Sequence, residues 1–149
     1  MCSSDLALTP GTPATPPSVP QGSPGRRFDQ LPKAVIKHNG LRSRKTRQRY
    51  ATGLAKDDHQ VVRVEVAVQT KRAGNLCRQL QHNLRFSRER HCGKPRIFFV
   101  AKGTTRWTWR LKKRLPPGYY VLYARAIDNA GQQQVDYPTR ARRPFRIKK

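Results

Sequence analysis

The sequence predicts an all-β chain: an antiparallel sandwich of about seven strands behind a disordered N-terminal tail. Three observations predict it. The stretch LPPGYYVLYARAIDNAG (115–131) alternates, with Tyr120, Leu122, Ala124 and Ala126 on one face and Tyr119, Val121, Tyr123, Arg125 and Ile127 on the other. VVRVEVAVQT (61–70) alternates as well, setting Val62, Val64, Val66 and Val68 against Arg63, Glu65 and Gln69, one face for a core and one for water. No segment repeats its apolar residues at helical spacing.

The 115–131 stretch is the centre of the reading. Pro117 and Gly118 break the start of any helix, while Val, Ile and Tyr favour extended backbone. The spacing Leu115-x-x-Gly118-x-Tyr120 suits a tyrosine corner, whose hydroxyl returns to the backbone just upstream. Ala124 and Ala126 leave room for large groups opposite, and Trp107 and Trp109 are the candidates.

Taken in order, residues 7–25 are mostly Pro, Thr, Ser, Gly and Ala without charge, a composition too poor in apolar groups to offset its ordering entropy. With its neighbours it makes residues 1–30 an extended linker, and residues 31–149 the folded domain. LPKAVIKHNG (31–40) reads as a first strand around Ala34 to Lys37, ended by Asn39-Gly40. A basic run, LRSRKTRQR (41–49), leads into a second strand from Tyr50 to Ala55 and a turn at Lys56-Asp57-Asp58. After the valine strand come a turn at 72–75, a polar section carrying Cys77 and Cys92, and a strand at 97–101. In WTWRL, Trp107, Trp109 and Leu111 share a face, and Phe145 and Ile147 close the chain as an edge strand.

Thirty-two basic residues against eight acidic ones give a net charge of +24. Such a charge attracts any polyanion: nucleic acid, anionic lipid or acidic wall polymers. No apolar run approaches the ~20 residues of a membrane span, and no signal peptide is visible. MCSSDL (1–6) matches the translation of a sequencing adapter; on that reading Met1 and Cys2 are non-native and the chain is the C-terminal piece of a longer protein. The alternative is an ordinary N-terminus.

The order Tyr50-Ala51-Thr52-Gly53-Leu54-Ala55-x-Asp57, then Val61-Val62-Arg63-Val64-Glu65-Val66, resembles bacterial immunoglobulin-like domains of secreted and cell-surface proteins. Leu115-Pro116-Pro117-Gly118-x-Tyr120 with Ala124-Arg125-Ala126-x-Asp128-x-Ala130-Gly131 resembles a later strand of that family. The cysteine-bearing middle is similar to a variant from actinobacteria-like organisms. The resemblance spans about residues 31–149 and departs at Gln132, where the family has Asn, and at Leu54, which interrupts a small Gly-Thr-Ala. It implies an immunoglobulin-like or fibronectin-III-like sandwich, exported and without catalytic activity.

Cys77 and Cys92 stand 15 positions apart; in an exported domain they are expected to form a disulfide. A zinc site with His82 and His91, or two free thiols, are the alternatives. Asp57, Asp58, Asp128 and Asn129 lie in two turns expected at the same end of the sandwich, where they are calcium candidates; good turn-formers is the plainer account of them. No phosphate loop, GxSxG elbow, HExxH or paired carboxylate spacing points to an enzyme, and no cofactor is expected. Arg42, Arg44, Lys45, Arg47, Arg49, Arg106 and Arg110 are the candidate polyanion contacts. The expected role is therefore an extracellular spacer, adhesion or binding module, partnered by other domains of its parent chain and by acidic polymers. The alternative is a basic nucleic-acid-binding protein using the same arginine-rich loop and the 106–114 strand.

Overall fold

A computed structural model of the chain describes residues 31–57 and 59–149. The expectations for the tail at 1–30 and for Asp58 lie outside the described residues. Ten strands follow in order: β1 Lys33–Asn39, β2 Tyr50–Lys56, β3 Val61–Arg72, β4 Leu76–Gln79, β5 Arg90–His91, β6 Phe99–Val100, β7 Lys102–Gly103, β8 Arg106–Arg110, β9 Gly118–Asp128 and β10 Arg142–Ile147. Three of them, β5 to β7, hold two residues each, so seven carry the sandwich. All pairings are antiparallel. One sheet runs β1-β2-β8-β7; the other runs β10-β9-β3-β4-β5, with β6 also paired to β3. Among the described residues, helical backbone is limited to three-residue 3-10 turns, and no helix is long and apolar enough to cross a membrane.

The two inner faces meet in one core. The four-stranded sheet contributes Ala34, Ile36, Ala51, Trp107 and Trp109; the six-stranded sheet contributes Val64, Val66, Val68, Leu122, Ala124 and Ala126. Both indoles are buried, and Trp107 donates its Nε1 hydrogen to the carbonyl of Leu54 at 3.2 Å. The tyrosine corner is present: the Tyr120 hydroxyl donates to the carbonyl of Pro116, and its ring stacks on Phe145 across the β9–β10 pair. Burial raises the Tyr120 phenol above its usual range, opposed by the charge of Arg72. A raised folded value means that the neutral corner's contribution is complete below about pH 10 and is lost as the pH climbs through that folded value.

Two sequence expectations about β3 are corrected. Val62 is half exposed, and Val61 is buried in its place, because a bulge between Val61 and Arg63 shifts the register against β9 and reverses the alternation. The opposite face of β3 is not wet. Glu65, Ala67 and Gln69 are buried there, with Gly93, Tyr137 and the Arg125 side chain lying on that face. Gln69 donates to the carbonyl of Gly93 and accepts from the Tyr123 hydroxyl. Glu65 accepts from Arg125 Nε at 2.8 Å and pairs with Arg63, while Arg125 stacks over Phe98.

Cys77 and Cys92 form a disulfide, with Cα atoms 4.9 Å apart, closing the β4–β5 loop. Both thiols are thereby used, which removes the zinc alternative. Loss of this cross-link frees the unfolded chain more than the folded one. The Cys77→Ser/Cys92→Ser double variant is therefore expected to lose about 3 kcal/mol in denaturant titration while keeping its β-sheet circular dichroism. An unchanged midpoint would contradict this.

Candidate polyanion interface

The residues expected to contact a polyanion fall into two groups. Arg42, Arg44, Lys45 and Arg47 are exposed on the β1–β2 connection, and Arg106 and Arg110 are exposed on the outer face of β8. Arg49 does not join them. It is 4% exposed, and its guanidinium donates to the carbonyls of Leu111 and Lys112 at 2.9 Å each, with longer contacts to Arg44 and Thr46. Leu111 in turn donates its N–H to the Arg49 carbonyl. Arg49 thus fastens the base of the basic loop to the end of β8, and holds the exposed loop cations beside the sheet.

The outer face of the four-stranded sheet extends this cationic surface with residues absent from the sequence-based candidates. Because Ala34 and Ile36 point inward, Lys33 and Lys37 point outward; because Ala55 is buried, Lys56 is not. Cross-strand register places Lys33 opposite Lys56, Leu54 opposite Arg106, Tyr50 opposite Arg110, and Lys102 opposite Thr108. At the β1 edge a cavity of about 500 Å³ is walled by Lys33, Lys37, Lys56, Arg140 and Arg143 over Val35 and Leu54. Arg143 fixes that edge by donating to the Ile36 carbonyl, and Gln134 accepts the Ala34 N–H. Alternation within KAVIK was the signal available in the sequence; the pairing of Lys33 with Lys56 was not.

Acidic residues are kept away from this face. The segments that build it, 31–57 and 102–114, contain one acid, Asp57, at the end of β2. The ion pairs Arg63–Glu65, Arg125–Glu65, Arg72–Glu89, Arg78–Glu89 and Lys94–Asp136 all belong to the other sheet and its connections. Lys33, Lys37, Arg106 and Arg110 take part in none of these pairs.

The calcium candidates are brought together in part. The turns after β2 and β9 do meet, with the Asn129 N–H donating to the Gln60 carbonyl. Asp128, however, is buried, and its Oδ1 accepts from the N–H groups of Ala130 and Gln132, as a turn-former does. Among the described residues no group of three or more His, Cys, Asp or Glu is arranged to hold a metal ion.

The fold and this face define an all-β, two-sheet antiparallel domain with one disulfide. Compared with family models, curated proteins and solved structures, the chain matches none.

Proposed function

We propose that this chain is a non-catalytic, immunoglobulin-like module of a secreted or surface-attached bacterial protein, and that it lays the outer face of its four-stranded sheet against an acidic polymer. One observation carries the reading: the segments that build this cationic face contain a single acid, while the remaining described carboxylates are engaged on the other sheet and its connections. Like charges directly opposite, such as Lys33 and Lys56, cost stability on a bare sheet. An anion laid across them removes that cost. The tyrosine corner and the two antiparallel sheets support the immunoglobulin-like assignment, and the disulfide supports an oxidising location.

The mechanism is presentation by a rigid scaffold. Strands hold neighbouring cations at spacings fixed by the sheet, so a flexible polyanion bears most of the ordering cost and counterion release drives association. Nucleic acid is one such polymer, but Trp107 and Trp109 are buried and offer no stacking platform for single strands. Binding of labelled polygalacturonate and of DNA strands of differing sequence, followed over a salt series, tests the reading. The expected result is that all bind and that log K falls linearly with log salt, without sequence preference. Retention of one DNA sequence at raised salt would overturn it in favour of a dedicated nucleic-acid binder.

A further inference from the structure

A second concavity, separate from the sheet face, opens where the β8–β9 connection meets the β4–β5 loop, with a volume of about 700 Å³. Its cations are Arg78, Arg85, Lys113, Arg114 and Lys149, and no acidic residue lines it. Glu89 pairs with Arg78 at 3.4 Å from outside the lining, and the ion pairs among the described residues leave Arg85, Lys113 and Arg114 unengaged. Beneath them lie Leu84, Phe86, Leu115 and Pro116, an apolar floor.

The walls are built to hold their shape. The Tyr120 hydroxyl pins Pro116, and Phe86 is bridged to Leu80 and faces the Tyr120 ring. The loop wall turns through Leu84 at φ +65, a left-handed conformation that leucine rarely adopts. Two backbone hydrogen bonds close that turn, Leu84 N–H to Gln81 carbonyl and Gln81 N–H to Arg85 carbonyl, both 2.8 Å. The turn seats the Leu84 side chain against the core and carries Arg85 on the rim. Backbone held in such a conformation clusters at functional sites, ligand clamps among them.

The geometry points to a binding site for a small organic anion that carries two phosphate groups on a body with an apolar face. The volume is that of a small-molecule pocket. Three unengaged cations call for more negative charge than one carboxylate supplies, and arginine forks match phosphate oxygens bidentately. The apolar floor gives a sugar or base ring a surface to cover. This site does not depend on the sheet-face reading, since it is lined by other residues.

The test is an NMR titration of the isotopically labelled, disulfide-intact chain with adenosine diphosphate, fructose 1,6-bisphosphate and pyrophosphate, at constant ionic strength. Saturable amide shifts are expected at Leu84–Phe86 and Lys113–Leu115, with at least one organic ligand binding tighter than pyrophosphate; which one binds tighter distinguishes a base from a sugar as the body. The Arg85→Ala/Arg114→Ala variant, altered only at exposed positions, is expected to bind about tenfold or more weakly with an unchanged thermal midpoint. Non-saturating shifts, shifts centred on Arg42–Arg47 and Arg106–Arg110, or an unchanged affinity in the double variant would overturn the site. Equal binding of pyrophosphate alone would overturn the role of the apolar floor.

Discussion

Gly53→Ala is expected to cost about 3 kcal/mol or more, or to prevent folding, the upper end of what overpacking does. Gly53 lies on β2 between β1 and β8, opposite Ile36 on one side and Trp107 on the other. A Cβ there would stand 1.9 Å from the Val35 carbonyl oxygen and 2.5 Å from Cζ2 of Trp107. Neither neighbour can yield cheaply. The carbonyl is strand backbone, and the indole is 1% exposed within the core and tied by its N–H to Leu54. Either β1 must leave its register or the largest core side chain must move. Gly93→Ala is the control, because nothing lies within 4 Å of a Cβ at that position. Denaturant midpoints should separate the two sharply; equal midpoints would mean that the β2–Trp107 contact is not as described.

The second large effect is at Arg49. Arg49→Ala is expected to cost about 2–4 kcal/mol, because it strips donors from two carbonyls and removes a buried stem. Lysine cannot replace it, since one ammonium does not reproduce the planar fork that spans the Leu111 and Lys112 carbonyls. Arg47→Ala, exposed and two residues away, should stay within about 0.5 kcal/mol of the parent. The pair of variants separates anchoring from surface charge in one basic run. Loss of stability at Arg47, or none at Arg49, would contradict the assignment.

The contrast also shows what the sequence made legible. Alternation found β3, β8 and β9, because a half-buried strand must write its two faces into a period of two. The spacing of Leu115, Gly118 and Tyr120 marks the corner, and the face shared by the two Trp and Leu111 marks them as core. Within LRSRKTRQR nothing marks Arg49 off from its neighbours, because its partners lie 62 and 63 residues away on the far side of β8. Val62 departs from the alternation because a single bulge residue reverses a face without changing composition. Glu65 and Gln69 read as solvent-facing by alternation; long-range partners cover them, Arg125 on Glu65 and the Gly93 carbonyl on Gln69. The cavity of about 700 Å³ draws on three separate segments, and no local pattern announces such a meeting.

That the acid-poor face of the four-stranded sheet is the contact surface is the central claim, and two variants of equal charge test it most directly. Lys37→Ser/Arg106→Ser/Arg110→Ser removes three exposed cations from the four-stranded sheet; Arg72→Ser/Lys94→Ser/Arg146→Ser removes three exposed cations from the side of the other sheet. Their affinities for polygalacturonate at one fixed salt concentration should differ, with the first variant weakened by about tenfold or more and the second by much less. Equal losses in the two would show that the chain binds through its net charge alone, and that the face has no special part.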